Sequence, residues 1–157
     1  MDENSYMEME MAQIKGVDST QRMTKADLAA GAKLIIRERL LTHGDQHAES
    51  GFVVNLNGED SSANVISRSV AKNHSTQVFN AEINGNAKCA GHSECDAIIM
   101  DHAKISAIPK IVANDIDAAL IHEAAIGKIA GEQLIKLMTL GLTEQEAEAQ
   151  IVNGFLK

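Results

Sequence analysis

The sequence has no tryptophan, one tyrosine and three phenylalanines in 157 residues, against 22 alanines and 16 isoleucines. A core drawn from it must be built from small and β-branched side chains in a repetitive setting, without large aromatic anchors. Basic runs are missing too. Fourteen Lys and Arg against 22 Asp and Glu leave a net charge of −8, which argues against a phosphate-neutralising nucleic-acid surface. No segment approaches the ~20 consecutive apolar residues of a membrane span, and no charged, apolar leader precedes a small-residue cleavage site. The two cysteines, six residues apart, do not make a secreted disulfide framework. The chain reads as soluble and cytoplasmic. Its length is that of one ordinary domain, enough to bury roughly two-thirds of the unfolded surface.

What is there is a series of short apolar runs. Met7-Glu8-Met9-Glu10-Met11 alternates at period two, a strand with methionines on one face and glutamates on the other. A disordered Met/Glu-rich leader is the alternative. Further strand-like runs cover Lys33 to Leu41, Phe52 to Leu56, Val65 to Val70, Gln77 to Ile83, Ala97 to Met100, Ser106 to Val112 and Ala118 to Ile121. Turn formers such as Thr42-His43-Gly44-Asp45, Asn57-Gly58-Glu59-Asp60 and Asn84-Gly85-Asn86 separate them. Leu56-Asn57-Gly58 is echoed by Ile83-Asn84-Gly85, an offset of 27 residues, and strand starts are spaced by about 18 to 27. Such periods suit a solenoid whose turns stack only on their neighbours. An antiparallel sandwich or barrel also accommodates short strands with turn signals. The shortage of rings favours the solenoid.

The character changes at Gly127. Residues 131–138 carry apolar side chains at helical spacing and run into Gly141, a good helix terminator. Thr143-Glu144-Gln145-Glu146 then forms a capping box opening a helix with Ala147, Ile151, Val152 and Phe155 on one stripe. The expected organisation is mainly β, with solenoid turns over residues 1–127 and a small α-helical hairpin over 128–157.

Candidate chemistry is sparse. Cys89, His92 and Cys95 offer two thiols and an imidazole, with Asp101 and His102 close behind, ligands that zinc or iron accepts. The spacing is C-x5-C, however. On a strand, residues 89 and 95 share a face while 92 points the other way. Buried structural cysteines are the favoured reading. His122-Glu123 is a second candidate, as metal ligands or a proton-transfer pair, against a solvated corner. Adjacent strand residues face opposite sides, so the two share one ligand only if the backbone turns there. His43 and His47 flank a Gly-Asp turn. There is no phosphate-binding glycine loop, nucleophile elbow or H-E-x-x-H, so these residues point to no enzyme.

Several segments in order do carry a resemblance. Ser67-Arg68-Ser69-Val70-Ala71-Lys72, Gly91-His92-Ser93-Glu94-Cys95-Asp96-Ala97 and Ala107-Ile108-Pro109 resemble the core of the SufB/SufD family. So do His122-Glu123-Ala124-Ala125-Ile126-Gly127-Lys128-Ile129, Glu132-Gln133-Leu134 and the closing Ile151-Val152-Asn153-Gly154-Phe155-Leu156. These are scaffolds for iron–sulfur cluster assembly in the SUF system. The likeness runs from about residue 60 to the C-terminus, and weakly from residue 7.

The resemblance implies a right-handed parallel β-helix followed by a helical subdomain, in a cytoplasmic complex with the ABC-type ATPase SufC. It implies pairing through the β-helix with a second SufB/SufD-type chain, homo- or heteromeric, and a nascent iron–sulfur cluster between the two. The nucleotide is bound by SufC and not by this chain. A SufB cysteine and a SufD histidine are implicated at the cluster. His122 stands at the histidine's place, with Glu123 beside it. Ala113 stands where the cysteine would be, which suits the SufD role or a divergent short SufB-like form. Gln133, Leu134, Leu137, Met138 and Ile151 are the residues expected at the ATPase-binding helices. Family members usually carry further N-terminal β-helix turns, so the chain is expected to be the C-terminal part of a longer solenoid. A stand-alone metal-binding protein using Cys89, His92 and Cys95 is the alternative. A purely structural partner without a cluster ligand is a third reading.

Overall fold

A computed structural model of the chain describes residues 1–13 and 18–157. Among these residues, nine strands precede two helices: β1 (Tyr6–Gln13), β2 (Ser19–Leu28), β3 (Lys33–Thr42), β4 (His47–Leu56), β5 (Ser62–Ala71), β6 (Thr76–Gly85), β7 (Ala90–Ile99), β8 (Lys104–Ala113), β9 (Ala119–Gly127), α1 (Gly131–Met138) and α2 (Glu144–Phe155). Odd strands form one sheet in the order β1-β3-β5-β7-β9, and even strands form a second in the order β2-β4-β6-β8. Every pairing is parallel. The chain therefore winds as a β-solenoid of about four turns, two strands to a turn. The sandwich and barrel readings fall, since both need antiparallel neighbours. The strand over Met7 to Met11 is β1, and of the stretch from Met7 to Ile14 that reads as a solenoid turn, Ile14 lies outside the described residues.

The repeat follows from the register. Tyr6 lies opposite Lys33, Lys33 opposite Ser62, Ser62 opposite Ala90 and Ala90 opposite Ala119, steps of 27 to 29 residues. The 27-residue echo of the two Asn-Gly steps was thus out of phase. Asn55, not Asn57, pairs with Asn84, and Asn57 meets Asn86. The physical unit is an amide ladder at a corner: Asn114 Nδ2 donates to Asn86 Oδ1 and Asn86 Nδ2 to Asn57 Oδ1, each at 2.7 Å. Spacings as short as 18 arose because β2 was not read and half-turns were counted with whole ones.

Alternation decides what goes inside. Leu34, Ala63, Gly91 and Leu120 form one inward column, and Ile36, Val65, Ser93 and His122 the next. Leu28, Val54, Phe52, Leu56 and Ile83 fill the space from the other sheet. Rungs about 4.8 Å apart leave room for aliphatic ladders. Two phenyl rings of this core, Phe52 and Phe79, lie 5.7 Å apart on neighbouring rungs. Corners repeat as the core does. Asn4, Gly31 and Asp60 occupy one corner in successive turns and Gly44, Asn73 and Asp101 another, all with φ between 56° and 66°. Only Gly, Asn and Asp hold that left-handed conformation cheaply. The side chains tie the turns together: the Gly44 amide donates to Asn73 Oδ1 at 3.0 Å and the Asn73 amide to Asp101 Oδ2 at 2.9 Å.

The helices close the chain. The capping box is formed, with the Thr143 amide donating to Glu146 Oε2 at 2.8 Å and the Glu146 amide to Thr143 Oγ1 at 3.3 Å. Val152 and Leu156 pack with Val70 of β5, Leu41, Ile98, Met100 and Ile129 in a second, smaller apolar cluster. Helix α1 buries none of its residues.

Candidate functional site

The last rung of the odd sheet carries the candidates. His122 of β9 lies opposite Ser93 of β7 and faces the interior. Both its ring nitrogens are shielded from solvent and have no hydrogen-bond partner among the described residues, and neither does Ser93 Oγ. A shielded, unsatisfied imidazole is costly, and such groups mark sites where another species completes the bonding. Burial lowers the His122 pKa below the usual histidine value, helped by His92 and opposed by Glu123. At neutral pH its ring is therefore neutral, the form that presents a lone pair to a metal.

Glu123 does not share that site. It faces the opposite side of β9, where its Oε2 lies 3.6 Å from His92 Nε2. The strand continues straight to Gly127, so the turn needed to bring His122 and Glu123 onto one ligand is absent.

The cysteines are likewise separated from His92. Cys95 is 1% exposed, in the inward column Glu38–Ser67–Cys95–Ala124. Its thiol is pushed up to about 11, first by burial and then by the charges of Glu38 and Asp96. Cys89 is buried at the corner before β7, and burial raises its pKa too, with a smaller push from Asp115. Both are inert thiols rather than ready thiolates. His92 points outward between them, so Cys89, His92 and Cys95 do not converge on one ion. His102 stands apart at a corner, its ring stacked on that of His74 at 5.4 Å.

Two groupings were missed. Inside the solenoid, Glu38 (2% exposed) pairs with Arg22 and accepts hydrogen bonds from Ser50 Oγ and from Ser67 Oγ, the latter at 2.8 Å. The signal was an acid in the apolar phase of Leu34, Ile36 and Leu40. On the outer face, His92, Glu94 and Glu123 bring an imidazole and two carboxylates within 4.8 Å of one another. Glu94 lies opposite Glu123 in the β7–β9 register, a proximity visible only once the 29-residue step is known.

Comparison with known proteins decides what this solenoid is. The family model described as "SUF system FeS cluster assembly, SufBD core domain" matches residues 1–155. The chain belongs to the SufBD family. An iron–sulfur cluster assembly SufBD family protein of Methanothermobacter thermautotrophicus is 35% identical over 127 residues, covering 80% of this chain and 31% of the relative. A protein of the same description from Methanocaldococcus jannaschii is 40% identical over 105 residues, 66% of this chain and 33% of the relative. One from Mycobacterium tuberculosis is 32% identical over 117 residues, 72% of this chain and 14% of the relative. The chain thus spans a third or less of the length of these SufBD relatives.

The segments that carried the resemblance run from β5 through β9 into the two helices. Residues 91–97 lie on β7 and His122 to Gly127 on β9, while Ala113 ends β8 opposite Gly85. Among the described residues, β8 and β9 are sheet-edge strands, and their turn exposes Ile108, Ile111, Ile116, Ile121 and Ile126. Of the helical candidates, Leu134, Leu137 and Ile151 are half-buried and Gln133 and Met138 exposed. Val152 and Leu156, not the α1 residues, dock the hairpin on the solenoid. That leaves Ile135, Met138 and Leu140 on the surface, Leu140 77% exposed. No helix among the described residues is long and apolar enough to cross a membrane.

Proposed function

We propose that this SufBD chain is a non-enzymatic cytoplasmic scaffold subunit that pairs through its last β-rung with a second SufB/SufD-type chain and carries a SufC-type ATPase on its helices. The observation that carries the reading is His122. Its neutral imidazole sits on the final rung, both nitrogens unsatisfied, beside an edge lined with exposed isoleucines. A nascent iron–sulfur cluster is the cargo held at that seam. Ala113 offers no thiol to it, so the partner supplies the sulfur ligand, as in the SufD role. Family membership, the apolar edge and the exposed apolar residues of the helical hairpin all support this reading.

Anaerobic reconstitution with ferrous iron and sulfide, with the partner chain present, tests it. The visible cluster chromophore is expected to fall by at least tenfold in His122→Ala and to survive Cys95→Ser. Loss in Cys95→Ser with His122→Ala unaffected would replace this reading by a thiol-based metal protein. Silence of both would leave a purely structural partner.

A further inference from the structure

We infer that His92, Glu94 and Glu123 form a surface site for a single divalent first-row transition ion of the ferrous or manganous class, on the outer face of the odd sheet and separate from His122. The ligand atoms are already gathered, one from each residue and all within 4.8 Å of one another. His92 and Glu94 stand two residues apart on one face of β7, and Glu123 stands opposite Glu94 on β9. Three side chains on two bonded strands give a facial set, leaving the remaining positions to water. One imidazole and two carboxylates suit Fe²⁺, Mn²⁺ or Zn²⁺ and disfavour soft monovalent copper.

Two independent features point to a cation here. The first is the orientation of the imidazole. His92 Nδ1 lies 3.1 Å from Asn64 Oδ1, an atom that can only accept, so the ring carries its proton on Nδ1. In the neutral ring Nε2 is then a lone pair, and it faces Glu123 Oε2 at 3.6 Å. Two acceptors turned toward each other need a proton or a metal ion between them. A fixed tautomer, held by an oxygen on the far nitrogen, is the usual support for a metal-ligating histidine.

The second feature is the crowding of like charge. Glu94 and Glu123 are direct cross-strand neighbours, and Asp96 follows Glu94 on the same face. Like charges in that position destabilise a sheet. A bound dication relieves this repulsion. His92 and Glu94 are held at half-burial while Glu123 is 66% exposed, free to swing in and close the coordination.

The site needs no sulfide and no partner, so its test is independent of the assembly reading. The purified chain is titrated with Mn²⁺, free ion being read by its electron paramagnetic resonance signal, and with Fe²⁺ anaerobically against a chromophoric chelator. One equivalent is expected to bind, at least tenfold more weakly in His92→Ala and in Glu123→Gln, with His74→Ala unchanged. Far-ultraviolet circular dichroism checks the fold of each variant. In the unsubstituted protein, Mn²⁺ is expected to broaden the imidazole resonances of His92 before those of His74 and His102. Binding unaltered by both substitutions, or first broadening at another histidine, would overturn the site. So would the absence of stoichiometric binding in a protein that still builds the sulfide-dependent chromophore, and that result would leave the assembly reading standing.

Discussion

Cys95 stands one rung from Ser67 and two from Glu38, and it owes its behaviour to that column. Burial, with Glu38 and Asp96 behind it, raises its thiol from 9.0 to about 11. A raised folded-state pKa means that the native protein holds the proton more tightly than the unfolded chain. The resulting stability is fully present below pH 9 and is lost as pH rises toward 11. Thermal unfolding followed between pH 8 and 10.5 is therefore expected to show a midpoint that falls with pH, and Cys95→Ser is expected to fall less steeply. Equal slopes would mean that the thiol proton is not linked to folding. The burial of Cys95 follows strand alternation, while Cys89 is buried at the corner before the strand begins. The Arg22–Glu38 pair was half legible. Glu38 shows itself as an acid in an apolar phase, but Arg22 lies on the strand that the pattern did not reveal.

At the scale of the elements, β2 escaped because its inward residues Thr20, Arg22 and Thr24 are not hydrophobic, and only Ala26 and Leu28 at its end are. Its register with β4, not its own sequence, makes it a strand. The other strands were legible by alternation, though shorter than they are: β7 begins at Ala90, not Ala97, because its inward Gly91, Ser93 and Cys95 are small rather than strongly apolar. The helices were the most legible elements, since capping is a local interaction written within four residues. Glycines separate the two kinds of element. A Cβ at Gly58 would lie 2.0 Å from the Ala30 nitrogen and 2.4 Å from the Ala29 carbonyl carbon, backbone of the preceding turn that has nowhere to move. A Cβ at Gly154 in α2 would meet nothing within 4 Å. In urea unfolding, Gly58→Ala is expected to cost at least about 2 kcal/mol. Gly154→Ala is expected to gain about 0.5–1 kcal/mol by narrowing the unfolded ensemble. A tolerated alanine at residue 58 would contradict the stacking of that corner on the turn before it.

Taken whole, the molecule is a stack of turns followed by a helical hairpin. The shortage of rings now has a structural counterpart, since the inward columns are ladders of Leu, Ile, Val, Ala and Ser, with Phe52 and Phe79 on neighbouring rungs. The family was legible because its motifs follow one another in order along β5, β7, β8, β9 and the hairpin, each written in a few consecutive residues. The separation of His122 from Glu123 was legible too, from strand alternation, but the meeting of Glu123 with His92 was not. That meeting depends on which face of β9 is inward and on a register set by three turns of chain. The central claim, a scaffold carrying an ATPase on its helices, is tested most directly by size-exclusion chromatography with light scattering, on a mixture of this chain and a SufC-type ATPase at micromolar concentration. The account expects a complex with the summed mass, lost in Leu140→Glu with the circular dichroism of the chain unchanged. Separate elution of two folded proteins at that concentration would contradict it.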